Sequence, residues 1–340
     1  MLQTRLTRLL GIEHPVIGAP MASVCGGRLA AAVSSAGGLG LIGGGYGDRE
    51  WLEREFDAAG NARIGCGFIT WSLKRQPHLL DYVLGRLPAA IMLSFGDPAA
   101  FAPAVKKAGA LLICQAQCMR HVQDAVDAGA DIIVAQGAEA GGHGMSRSTL
   151  TLVPEVANFL AVAAPETVLV AAGGIADGRG LAAALVLGAD GALIGSRLCA
   201  SDEALVHPAF QQRMIDEDGD GTVRTTSVDV VRDLDWPKPF TARVVKTGFV
   251  SQWHGREAEL NDATLRDGEK GRYFNAMKSG DAENTAVWVG EAVGLIHSVR
   301  PAGDIITDMV AEAERLLKDK WRACQGAGFT DIGTGQESPS

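Results

Sequence analysis

The chain has 340 residues, 40 acidic against 31 basic side chains for a formal charge of −9, with 47% apolar and 21% charged residues. At roughly 150 residues per domain this is one large domain or two small ones, and the apolar share excludes global disorder. The acidic balance excludes capture of a nucleic acid or an anionic membrane by bulk electrostatics.

In chain order, residues 1–12 carry Arg5 and Arg8 and no apolar stretch of the length a secretory signal needs. No run of about 18 apolar residues follows, so a cytoplasmic protein is expected. The six cysteines (25, 66, 114, 118, 199 and 324) are scattered. Cys114 and Cys118 lack a second pair at zinc spacing, which predicts reduced thiols and no metal.

Eight short, continuous apolar runs then recur, at 15–19, 40–43, 64–69, 90–94, 111–115, 132–136, 168–172 and 191–195. Such runs are what strands covered on both faces look like. Between them, 28–35, 49–59, 119–128 and 180–187 read as helices. Asp48 offers an N-cap to the second, and Gly129 and Gly188 stop the last two. Eight strands alternating with helices predict a (β/α)8 TIM barrel, assigned to residues 1–215, in preference to a doubly wound open sheet.

Beyond Ser201 the pattern changes. Residues 216–257 are polar and show no strand–helix alternation. Residues 305–323 read as an amphipathic helix, with Ile305, Ile306, Met309, Val310, Ala313, Leu316, Leu317 and Trp321 on one face, and 283–293 as a second helix. We read 216–325 as a C-terminal extension, a helical lid packing near the barrel mouth, and 326–340 as a disordered tail. Asp216, Asp218 and Asp220 imitate half a calcium loop, but Ser227 stands where its bidentate glutamate belongs.

In a parallel barrel the chemistry sits in the loops that follow the strands, and glycine gathers there. The chain holds 43 glycines, about 13% where about 7% is usual. The sixth strand is followed by Gln136-Gly-Ala-Glu-Ala-Gly-Gly-His143-Gly144. An imidazole among bare glycines can be approached closely by a ligand and titrates near neutrality, so His143 is the candidate proton-transfer group. Gly173 and Gly174 follow the seventh strand, and Gly195 and Ser196 the eighth. Adjacent glycine loops at those two positions are where barrels hold phosphate. Arg197 either joins that contact or turns into the helical layer. After the first strand, Pro20, Met21 and Ala22 offer a rigid, apolar surface for a flat ring.

Gly18-Ala-Pro-Met-Ala22, Ala36-Gly-Gly-Leu-Gly-Leu-Ile-Gly43, the loop from Gln136 to His143, Ala171-Ala-Gly-Gly-Ile175 and Gly195-Ser196 together resemble nitronate monooxygenases, formerly 2-nitropropane dioxygenases. The resemblance runs from about residue 4 to 320. It implies an FMN-dependent barrel that oxidises alkyl nitronates with O2 to a carbonyl compound and nitrite, with His143 at the family's catalytic histidine. Carried across residue by residue, it implies Pro20, Met21, Ala22, Gly67, Gln115, Gln136, Gly141 and Gly142 near the flavin ring, and Gly173, Gly174, Gly195 and Ser196 at its phosphate. Gly67 stands where many members have asparagine, and Gln115 where some carry a lysine near the flavin pyrimidine edge. Losing that cation weakens stabilisation of the anionic reduced flavin.

The same motifs are similar to those of flavin-dependent enoyl-acyl carrier protein reductases, which makes an FMN- and NAD(P)H-dependent reductase the alternative. A non-catalytic flavin- or phosphate-binding barrel is a third class. The expected partners are a small nitronate and O2; self-association as a homodimer is allowed by the sequence.

Overall fold

In a computed structural model, which describes residues 2–326, all eight expected strands form and close on themselves. The strands are β1 (Val16–Gly18), β2 (Leu39–Gly43), β3 (Gly65–Ile69), β4 (Ala90–Ser94), β5 (Leu111–Ala116), β6 (Ile132–Gln136), β7 (Gly142–Gly144), β8 (Val168–Ala172), β9 (Gly191–Ile194), β10 (Thr222–Thr225) and β11 (Thr241–Val245). All except β7, β10 and β11 make a parallel barrel, shut by Val16, Ile17 and Gly18 of β1 pairing with Ala192, Leu193 and Ile194 of β9. That pairing eliminates the open sheet.

The apolar runs are continuous because each strand buries both faces. Ile17, Leu39, Leu41, Met92, Ile113, Val134, Val170 and Leu193 fill the barrel interior. Their neighbours in sequence, among them Val16, Ile42, Ile91, Leu112, Ile133, Leu169 and Ile194, pack against the helices. At about 1.5–3 kcal/mol for each large side chain removed from water, the two layers supply most of the drive to close the barrel. Helix Arg5–Leu10 adds Leu6 and Leu10 to the inner layer and seals the floor. Gly191 makes room for it, since a Cβ there would lie 2.4 Å from Leu6 Cδ2.

Three expectations for the C-terminal third need correction. First, residues 216–257 do contain regular structure: β10 and β11 are antiparallel and continue onto β7, the strand that carries His143. Second, 283–293 is not a helix. Val287 accepts a backbone hydrogen bond from Val245, and only a 3-10 turn, Glu291–Leu295, follows Gly290. The helix lies earlier, at Ala263–Ser279, between the Asp262 cap and Gly280 at φ 76°. Its charged sequence hides it, since it buries only Glu269, Tyr273 and Ala276. Third, the final helix, Ala302–Gly326, joins the outer ring of the barrel, packing on helices Gly178–Val186 and Gly27–Ser35 through Ile305, Ile306, Met309, Val310 and Ala313. The elements over the mouth come from the stretch between β10 and Ile296 instead. The tail expected at 326–340 lies, from residue 327 on, outside the described residues.

Candidate active site

His143 sits at the barrel mouth because β7 is an edge strand pinned by β11, with His143 directly opposite Ala242. Its side chain is buried, and its Nε2 lies 2.9 and 3.0 Å from the two carboxylate oxygens of Asp229, itself 2% exposed. A carboxylate only accepts, so Nε2 carries a proton and donates it. Nδ1 has no hydrogen-bond partner among the described residues. The Trp236 indole stacks on the imidazole with centroids 3.4 Å apart and planes 8° from parallel. Trp236 Nε1 donates to the Tyr46 hydroxyl at 3.0 Å, and Tyr46, Trp71, Phe95 and Phe240 surround Trp236 edge-on. Desolvation under this aromatic cover pushes the His143 pKa below its ordinary value; the Asp229 bond opposes the shift, while the charges of Arg232 and Arg224 add to it.

Behind His143 runs a chain of amides. Gln115 and Gln117 both donate to Gln136 Oε1, at 2.5 and 3.0 Å, and Gln136 Nε2 donates to the carbonyl of His143 at 3.2 Å. His121, expected on the surface or in packing, extends the chain by donating from Nδ1 to Gln117 Oε1 at 3.0 Å. Pro20 lies over Gly67 so closely that a Cβ at 67 would be 2.3 Å from Pro20 Cγ. Met21 faces Gly195, whose Cβ position is 3.7 Å from Met21 Sδ, and Cys199 Sγ lies 3.3 Å from that same sulfur. Ala22 follows at the same mouth, beside Gly45.

The glycine loops also converge. Gly173 and Gly174 adopt φ of 99° and 76°, open to glycine and strained for other residues. They meet the loop after β6, with the Gly173 Cβ position 3.0 Å from Gly137 O and the Gly174 position 3.4 Å from Glu139 Cβ. Gly141, whose Cβ position would be 2.6 Å from Gly290 N, is locked against Val289 and Gly290, and Gly290 N donates to Ser196 Oγ at 2.8 Å. Gly142, at φ 72°, has open space around it. Arg197 takes the second of its two expected courses: it is buried and donates to Ala200 O at 3.1 Å.

Comparison with known proteins accords with this layout. A family model described as nitronate monooxygenase matches residues 3–62 and 74–312. The chain belongs to the nitronate monooxygenase family. It is thereby an oxidoreductase of a flavin-dependent group. A nitronate monooxygenase of Neurospora crassa is 33% identical over 90% of this chain and 91% of its own. A Mycobacterium tuberculosis protein named (3aS,4S,5R,7aS)-5-hydroxy-7a-methyl-1-oxo-octahydro-1H-indene-4-carboxyl-CoA dehydrogenase is 32% identical over 81% of this chain and 76% of its own. Among solved structures, FabK from Thermotoga maritima superposes with a TM-score of 0.82 at 30% identity, covering 95% of this chain and all of that one.

Sequence reasoning missed Gln117, Asp229 and Trp236. Gln117 had a signal: it directly follows the end of β5, in the loop position where barrels place their chemistry. Asp229 is 86 positions from His143, and it and Trp236 lie in a stretch without periodicity that marks neither.

Proposed function

We propose that this member of the family is an FMN-dependent oxygenase that converts alkyl nitronates and O2 to a carbonyl compound and nitrite. The observation that carries the reading is the buried His143–Asp229 pair, placed at the barrel mouth among bare-glycine loops. The residues present fit FMN. Gly173 and Gly174 offer backbone without side chains, an added Cβ at Gly195 would meet nothing nearer than 3.7 Å, and the Ser196 hydroxyl still has its own proton to donate. Gly173, Gly174, Gly195 and Ser196 would hold the phosphate. Pro20, Met21, Ala22, Gly67, Gly141 and Gly142 would lie along the ring, with the Gln115 and Gln136 amides at its polar edge. When bound, FMN supplies the electron acceptor and the reaction with O2.

The chain's own residues handle the proton and the water. Burial keeps the imidazole neutral around neutrality, and Asp229 holds the proton on Nε2, so Nδ1 presents the lone pair. Nδ1 is then the atom that removes the α-proton of a neutral nitro compound; once protonated, it donates to an oxygen of the nitronate. Trp236 covers one face of the imidazole, backed by Tyr46, Trp71, Phe95 and Phe240, and limits the approach of water to that face. The test is direct: the purified protein should be yellow and release FMN on denaturation, and anaerobic mixing should show the flavin reduced by an alkyl nitronate and not by NADPH. A second reading, the FMN- and NAD(P)H-dependent enoyl-acyl carrier protein reductase, draws support from the likeness to FabK and to the CoA-ester dehydrogenase. Rapid reduction by NADPH in the same experiment decides for it.

A further inference from the structure

β10 and β11 set two arginines directly opposite one another, Arg224 against Arg243. Antiparallel pairs usually avoid such like charges because they repel at close range. Glu291 is the carboxylate in contact with the pair, and Glu139 acts on Arg243 at longer range. Arg243 Nη2 pairs with Glu291 Oε1 at 2.7 Å, while its Nε and Nη1 donate to Ala138 O and Thr222 Oγ1. Arg224 is held by neutral oxygens: Nε donates to Thr241 Oγ1 at 2.9 Å, Nη1 to Ala138 O at 3.2 Å, and Nη2 to Thr241 O. Burial, with Arg243 adding to it, pushes the Arg224 pKa down to about 10. A guanidinium held half out of water without an anion of its own costs free energy unless a ligand brings one.

Its direction is given by Gly144. A Cβ on that residue would lie 3.2 Å from Arg224 Nη2 and 3.3 Å from Gln136 Oε1. The missing side chain leaves the guanidinium facing the Gln115–Gln117–Gln136 amides across a gap of a few ångströms. Those amides are neutral, and β5 and β6 contain no lysine or arginine.

We infer that Arg224 is the cation that offsets the negative charge gained by the flavin ring on reduction, supplied from β10 because position 115 carries an amide. This rests on the flavin reading above. Two electrons and one proton entering the oxidised ring leave it one unit more negative. Sulfite imposes a similar charge without a reductant: its sulfur lone pair forms a bond to the ring, and the displaced electron pair settles on the pyrimidine side. A facing guanidinium stabilises both products relative to the oxidised ring.

The experiment compares holoprotein carrying Arg224, Arg224→Gln and Arg224→Lys, measuring the flavin midpoint potential by dye equilibration and the sulfite dissociation constant from visible absorbance. Arg224→Gln should weaken sulfite binding by about tenfold or more and lower the potential correspondingly, about 30 mV per tenfold for a two-electron couple. Arg224→Lys should stay close to the parent. Unchanged sulfite affinity and potential in Arg224→Gln overturn the inference. So does a loss of FMN affinity with the bound fraction unchanged in potential, because the guanidinium then serves the phosphate. Should Arg224→Gln not fold, Arg224→Met takes its place with the same two outcomes, and failure of the parent to bind sulfite overturns the inference. A colourless parent protein refutes the flavin reading itself, which keeps the two failures apart.

Discussion

Replacing Asp229 by asparagine preserves shape and removes one charge, and it isolates what the carboxylate does for His143. The bond it weakens is short, 2.9 and 3.0 Å to the two oxygens, and both side chains are under a tenth exposed. A hydrogen bond to a charged group under such cover is worth about 1.5–3 kcal/mol, and about 1.4 kcal/mol is tenfold, so kcat/KM should fall about ten- to a hundredfold. The loss deepens if the new amide turns its Nδ2 toward the ring. Nε2 must then accept, the proton moves to Nδ1, and the base is removed; the same exchange beside a catalytic histidine elsewhere has cost about 10⁴ in rate.

The pH dependence carries a sign of its own. Desolvation pushes the His143 pKa down and Asp229 pulls it up, so without the carboxylate the pKa falls further. The neutral imidazole then survives to lower pH, and the acid limb of kcat/KM moves down even as the plateau drops. Nitrite release from a neutral nitroalkane, whose α-proton Nδ1 must remove, reads both across a pH series. If plateau and limb stay where they were, Asp229 does not control the His143 proton and the proposed role of Nδ1 is wrong.

Trp236→Ala should move the same acid limb the other way, since water reaching the imidazole relieves desolvation and lets the pKa rise. It should also cost about 3–5 kcal/mol of stability, measured by thermal or denaturant unfolding. Gly67→Asn should destabilise this chain by about 1–3 kcal/mol, because the added Cβ meets Pro20 Cγ at 2.3 Å; an unchanged melting temperature would mean Pro20 yields freely. Gly178→Ala should weaken the seat of the last helix by a similar amount, its Cβ falling 2.5 Å from Glu312 Cβ and 2.6 Å from Met309 O. Since that contact lies on the outer ring, activity per folded molecule should be unaffected; a loss there would tie the last helix to the mouth.

The barrel was legible because its determinants are local. A strand covered on both faces needs an unbroken apolar run, as at Val168–Ala172, and the turn after it needs residues that tolerate unusual φ, as at Gly173 and Gly174. The position of His143 in such a loop could be seen in the same way. The final helix was legible as a helix from its apolar stripe, but its seat on the outer ring was not, because an apolar stripe does not name its partner. The segment at 283–293 shows the converse: Val287 and Val289 read equally as a helix face or as an extended strip, and packing against Val245 selects the strip.

The sequence by itself therefore determined the eight-stranded frame, the glycine loops at its mouth and the imidazole among them, since each depends on neighbours a few positions away. Tertiary structure alone decided what surrounds that imidazole. Asp229, Trp236 and Arg224 come from β10 and the chain between it and β11, and they reach His143 only because β11 pairs with β7. Backbone pairing between distant strands leaves no periodic trace in either partner, so the groups that set the histidine's proton and its cover became visible only in the folded chain.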